Sequence, residues 1–212
     1  MMKELVRSID TLVFDLGGVV INLSYQKTYE ALSQLSGKTV DEISLLAQHA
    51  QEFKLYETGR IDDAAFRNFI RTTLGIEISD IQVDAAWNAM LLDIPPVRLK
   101  TLLKLRSSYQ LFLLSNTNAI HLRAFNEMVK RISGQPNLDY CFDKTYYSHE
   151  VGMRKPDVEI YEHVIKENSL RPGQTLFFDD LVPNLAGASQ AGLKTYHVTN
   201  ANELFEKLDS IE

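Results

Sequence analysis

Three apolar runs in this chain stop at residues able to do chemistry. TLVF (11–14) ends at Asp15, LFLL (111–114) at Ser115-Asn116-Thr117, and TLFF (175–178) at Asp179-Asp180. A lone Asp or Ser behind a strand is commonly a turn or helix-cap residue. Three such strand ends together are harder to assign to capping alone, because the carboxyl ends of parallel strands share one edge of a sheet, where such folds bind ligands. Carboxylates without soft partners suit a hard cation, and Mg²⁺ takes one or two carboxylates with phosphate oxygens and water. The five histidines show no zinc-type spacing. Lys155 precedes Pro156, and if Pro156 opens a helix, Lys155 lies where the backbone's partial positive charge disfavours a cation. It is then either solvated on a loop or paired with Asp15 or a bound phosphate. A carboxylate nucleophile, Mg²⁺, a hydroxyl and a lysine together describe a phosphoryl-transfer site.

Such a site needs a rigid scaffold. The three runs, with KTYHV (194–198) and the weaker KTYYS (144–148), alternate with helical patterns. The strands are expected to be parallel and, for the first four, buried on both faces. The fold expected is α/β, a doubly wound (Rossmann-like) parallel sheet. VRLKTLLKLRSS behind Pro95-Pro96, AIHLRAFNEMVKR behind Asn118, and DVEIYEHVIKENS behind Pro156 read as helices. From Ser24 to Asp93 no strand pattern is found. Thr39 with Glu42 and Ser79 with Gln82 match capping boxes, while Gly59 and Gly75 suit helix ends. This predicts an all-helical cap domain, residues 24–93, inserted into a core of residues 1–23 and 94–212.

Composition narrows the partners. A formal charge of -6 and the lack of Lys/Arg clusters argue against nucleic acid. No apolar run approaches the roughly 20 residues that span a bilayer, and the opening residues lack the apolar core of a secretory signal. A cytoplasmic location is expected, without membrane partners. Cys141 is the single cysteine, which excludes an intrachain disulfide; it reads as a small buried or half-buried residue rather than a nucleophile.

FDLGGVV, LLSNTN, GMRKPD and FFDDLVPN resemble, in order and spacing, the four motifs of the haloacid dehalogenase-like superfamily. They are similar in particular to the bacterial α-D-glucose-1-phosphate phosphatase branch, which carries a helical cap after the first strand. The resemblance implies a Mg²⁺-dependent phosphatase for a small phosphorylated metabolite such as a sugar phosphate. Asp15 would be the nucleophile and a metal ligand, and Gly17 would give its carbonyl to the metal. Ser115 and the backbone of Asn116 would hold the phosphoryl group. Lys155 would neutralise charge, Asp180 would bind metal directly, and Asp179 would act through a water. Tyr56, Glu57 and Arg60, around Gly59 in the cap segment YETGRIDDAAF, are candidate substrate contacts.

One departure stands out. Gly17 occupies the position where most phosphatases of this superfamily carry a second Asp as acid and base. A preference for leaving groups that need little protonation, such as an anomeric sugar oxygen, is the expected consequence. His121 and His149 lie near the motifs, but a core or surface role suits each better. The alternatives are a metal-independent 2-haloacid dehalogenase, against which the Asp179-Asp180 pair speaks, and a weakened binding or regulatory protein. A sugar-phosphate mutase is disfavoured because it relies on the missing Asp.

Overall fold

The computed structural model describes residues 2–211. Strands β1 (Thr11–Phe14), β2 (Gln110–Ser115), β3 (Lys144–Tyr147), β4 (Thr175–Asp179) and β5 (Lys194–His197) form one parallel sheet, ordered β3-β2-β1-β4-β5. The helices are α1 (Met2–Val6), α2 (Tyr25–Ser36), α3 (Val40–His49), α4 (Gln51–Glu57), α5 (Asp63–Leu74), α6 (Asp80–Asn88) and α7 (Pro96–Leu105). They continue with α8 (Ala119–Ser133), α9 (Ser148–Val151), α10 (Val158–Glu167), α11 (Val182–Gln190) and α12 (Ala201–Asp209). Among the described residues no helix is long and apolar enough to cross a membrane.

The continuous apolar runs divide their side chains by strand periodicity. Leu12, Phe14, Leu111, Leu113, Leu176 and Phe178 enter one buried cluster, which includes side chains of α7, α8 and α12. Val13, Phe112, Leu114 and Phe177 enter the other, with Ile160 and Tyr161 of α10 and Leu185 of α11. Phe14 stacks on Phe178 with ring centroids 4.8 Å apart; burying each large apolar side chain contributes roughly 1.5–3 kcal/mol. The sheet is therefore covered on both faces. β5 departs from the expectation of two-sided burial, since its four residues are half-buried or exposed. It lies at the sheet edge and has only β4 as a neighbour.

Between β1 and α7 the chain is helical from α2 to α6. Both capping boxes form, at Thr39/Glu42 and Ser79/Gln82, and Gly75 ends α5 in the left-handed conformation. Leu32, Tyr56, Phe66, Ile70 and Val83 form a separate buried cluster that Ile120 of α8 joins. The entry and exit of this segment run together: Ser24 N–H donates to Met90 O (2.9 Å) and Leu92 N–H to Asn22 O (3.0 Å).

Arg98 fixes that junction to the sheet. Its guanidinium is buried and donates to Val19 O (3.0 Å), Val20 O (3.2 Å), Asn22 Oδ1 (2.8 Å) and Asn202 Oδ1 (2.7 Å). Arg98→Met keeps the volume but strips several buried acceptors of their donor. A loss of about 3 kcal/mol in urea-unfolding stability is expected.

Candidate active site

The sheet register builds the site. Phe14 pairs with Leu113 of β2 and Phe178 of β4, so the next residues, Asp15 just past β1 and Asp179 at the last position of β4, stand side by side at the carboxyl edge of the sheet. Asp15 N–H still donates to Phe178 O at 2.9 Å, which fixes the backbone, and Leu16 N–H donates to Asp15 Oδ1 at 2.7 Å. Lys155 Nζ sits 2.7 Å from Asp15 Oδ1 and 2.7 Å from Asp179 Oδ2. All three residues are buried, Lys155 to 1% exposure. Asp180, half-buried, completes the group: one carboxylate oxygen from each of Asp15, Asp179 and Asp180 lies within 4.8 Å of the others.

Lys155 does not lie at a helix N-terminus as expected from Pro156. Helix α10 begins at Val158, and Lys155 is set beforehand by Asn116. The Asn116 side chain accepts from Lys155 N–H (2.8 Å) and donates to Lys155 O (2.8 Å), a reciprocal clamp that turns the lysine into the site.

Asp179 has little capacity left. Oδ1 accepts from Leu181 N–H (2.8 Å) and Asn184 Nδ2 (3.0 Å), while Oδ2 accepts from Lys155 Nζ and Asn184 Nδ2 (3.0 Å). Its geometry is that of a carboxylate orienting Lys155. Asp15 and Asp180 are the carboxylates with oxygens to spare, which fits a magnesium ion that takes two carboxylates and fills the rest with phosphate and water.

Electrostatics agree with a site prepared for a cation. Burial pushes the Asp15 carboxyl up to about 7, with Lys155 opposing and Asp179 and Asp180 adding to the rise. Burial also raises Asp180, and the charge of Asp179 adds to it. Burial works against the ammonium of Lys155, but Asp15 and Asp179 outweigh it and hold the group above its ordinary value.

Gly18 is a further requirement. Its φ is +72°, and a Cβ there would come within 2.6 Å of Asp180 Oδ2. Gly18→Ala strains a left-handed residue by about 1–2 kcal/mol and displaces the Asp180 carboxylate from the cluster that could hold a metal ion. The rise in melting temperature on adding Mg²⁺ should fall to less than half the wild-type value.

A cavity of about 190 Å³ opens over the site, lined by Gly17, Ser115, Asn116 and Thr117 from the core side and by Tyr25, Tyr29, Phe53, Glu57 and Trp87 from the helical segment. The Ser115 hydroxyl has only a 3.4 Å contact to Asn116 O. Ser148 Oγ accepts from Thr117 N–H (2.9 Å) and donates to Thr117 O (3.0 Å), which holds the loop in shape.

Residues 9–192 match the family of haloacid dehalogenase-like hydrolases. The chain belongs to this family. It is 30% identical over 205 residues to a D-ribitol-5-phosphate phosphatase of Bacteroides thetaiotaomicron, covering 96% of this chain and 98% of that protein. A crystal structure of a HAD family enzyme from Bacteroides thetaiotaomicron, in complex with magnesium and inorganic phosphate, superposes with a TM-score of 0.81 at 38% identity, covering 89% of this chain and 93% of that one. The L-2-haloacid dehalogenase of Xanthobacter autotrophicus shares the fold, with a TM-score of 0.59 at 19% identity and coverage of 89% of this chain and 77% of that one.

Of the three expected substrate contacts in this haloacid dehalogenase-like hydrolase, only Glu57 lines the cavity. Tyr56 is a packing residue: its ring stacks on Phe66 at 4.1 Å, its hydroxyl donates to Asp63 Oδ1 (2.6 Å), and Ile120 N–H donates to it (3.2 Å). Arg60 is exposed and lines an outer groove with Lys54 and Thr58. The turn at Gly59 explains both. A Cβ on Gly59 would lie 2.3 Å from His149 O, so the backbone itself presses on α9 and directs the flanking side chains elsewhere.

His121 is not free to serve as a base, and His149 lines a separate groove with Asp63 and Arg123 rather than the cavity over the site. His121 is stacked on Trp87 and held at both ring nitrogens, by Asn118 Nδ2 (3.2 Å) and Trp87 O (3.2 Å); burial lowers it to about 4. His149 is lowered by burial as well. Cys141 is buried, as expected.

Proposed function

We propose that this hydrolase is a Mg²⁺-dependent phosphatase of small phosphomonoesters in which Asp15 is the nucleophile. The observation that carries the reading is the buried Lys155 bridging Asp15 and Asp179 beside Asp180. Asp15 attacks phosphorus and becomes an aspartyl-phosphate as the alcohol departs; water then attacks the same phosphorus and frees phosphate. The Ser115 hydroxyl and the Asn116 backbone N–H hold the phosphoryl oxygens, and Lys155 offsets their charge. Asp15, Asp180 and the Gly17 carbonyl would hold Mg²⁺, while Asp179, whose oxygens are taken up by Lys155, Asn184 and Leu181 N–H, orients the lysine instead of reaching the ion through a water. When bound, the ion adds positive charge where the attacking carboxylate meets the phosphoryl group.

The helical segment 24–93 serves as a cap that excludes water and selects the alcohol. The substrate class is sugar or sugar-alcohol phosphates. The D-ribitol-5-phosphate phosphatase relative supports this breadth and gives no preference to glucose 1-phosphate. Phosphate release from ribitol 5-phosphate and glucose 1-phosphate, with and without Mg²⁺, tests the reading; Mg²⁺-dependent release is expected. Halide release from a 2-haloacid without metal would assign the chain to dehalogenation instead, and silence on every compound would point to a binding protein.

A further inference from the structure

A phosphatase that accepts sugar-alcohol phosphates must expel an ordinary alkoxide, which leaves poorly unless it is protonated. The position that could supply the proton offers none: Gly17 has no side chain. Any replacement has to come from the walls of the cavity. Of these, only Glu57 carries a carboxyl, and it arrives from the other side, at the end of α4 in the helical segment.

Its bonding leaves one oxygen available. Arg154 donates twice to Glu57 Oε2, from Nε at 3.1 Å and Nη2 at 2.9 Å. Among the described residues nothing hydrogen-bonds Oε1. Arg154 is the residue before Lys155, so the ion pair ties the end of α4 to the loop that delivers the charged lysine to Asp15. His121 is excluded by its two ring contacts, and Tyr25 is held protonated by burial and the charge of Asp15.

Resting on the phosphatase reading, we infer that Glu57 is the general acid and base of this enzyme, a role moved from the strand end to the cap. The proton balance closes. As Asp15 bonds to phosphorus and the phosphorus–alcohol oxygen bond breaks, the Glu57 carboxyl gives its proton to the departing alkoxide. As water attacks the aspartyl-phosphate, the Glu57 carboxylate takes the water's proton, the Asp15–phosphorus bond breaks, and the carboxyl is ready for the next turnover. Burial favours the protonated form needed at the start, against Arg154 and Lys155 from the loop before α10 and Lys54 on α4; Tyr25 of α2 lines the same cavity.

The test compares wild type with Glu57→Gln on ribitol 5-phosphate and on p-nitrophenyl phosphate, whose phenolate needs no proton. The readout is kcat/KM, which counts only steps up to departure of the alcohol. The variant should lose about 10²- to 10⁴-fold on the alkyl ester and less than about tenfold on the aryl ester. In wild type, kcat/KM for the alkyl ester alone should fall on the alkaline side as Glu57 loses its proton, which is readable even if the variant folds poorly. Equal loss on both esters, or one alkaline limb common to both, reduces Glu57 to a binding contact and overturns the inference. Wild type silent on both esters overturns the phosphatase reading itself, and the proton role with it.

Discussion

Asp15→Asn is expected to lower kcat for phosphate release by at least about 10⁴-fold while the protein stays as stable as wild type or becomes more so. The first half follows from the role: an amide oxygen is a poor nucleophile, and loss of a covalent nucleophile is among the largest single effects in enzymes. The second half follows from the fold. Asn is nearly isosteric, its Oδ1 can still accept from Leu16 N–H, and Lys155 keeps Asp179 as partner. What disappears is a carboxylate whose burial pushes it up to about 7, meaning that the folded chain resists its charge. A melting curve at pH 8 in EDTA beside the kinetic assay separates the two. A variant that is both inactive and strongly destabilised would show that Asp15 is structural.

Lys155→Met should do the reverse and destabilise by about 3–5 kcal/mol, because removing one partner of a buried charge group leaves the others uncompensated. The methionine keeps the volume over the Phe177 ring, where Nζ now lies 5.2 Å from the centroid, so little of the loss is packing. The pH dependence has a definite sign. Burial already raises Asp15 from 3.8 to about 7 against the opposing pull of Lys155, and without the lysine it rises further. The folded variant then holds a proton that the unfolded chain has released, so the variant's stability falls as pH climbs from about 4 through neutrality. Urea unfolding at pH 5 and pH 8, without metal, should show the smaller deficit at pH 5. A deficit independent of pH would mean that the lysine's contribution is not electrostatic. Phosphate release should be lost with either protonation state, since no other described side chain bridges Asp15 and Asp179.

These two predictions concern residues the sequence already singles out, and the reason is physical. Strands buried on both faces must be continuously apolar, so a polar residue at their carboxyl end marks both the limit of the strand and the edge where ligands bind. Asp15, Ser115 and Asp179 are legible for that reason, and parallel pairing then sets them together without further information. The capping boxes at Thr39 and Ser79 are legible because their partners lie three residues away.

What sequence could not reveal depends on contacts between distant segments. Asn116 is singled out in the sequence for its backbone alone, yet its side-chain amide clamps Lys155 across 39 positions. Ser148 and Asn184 stabilise the site through single side chains whose local sequence carries no spacing rule, although Asn184 stands in the motif FFDDLVPN. Arg98 falls in the helical pattern VRLKTLLKLRSS with no signal of its own, and only the fold shows it buried under the junction of the helical segment. In the sequence, proximity to Gly59 groups Tyr56 and Arg60 with Glu57. The helix and the close approach of Gly59 to His149 send the three side chains to three places.

The most direct measurement is to quench wild-type enzyme in acid during turnover of ribitol 5-phosphate with Mg²⁺ and map the phosphoryl group by mass spectrometry. The group is expected on Asp15, in the peptide spanning residues 11–20, and nowhere in Asp15→Asn. Full-rate phosphate release with that peptide unmodified at every quench time would contradict that expectation.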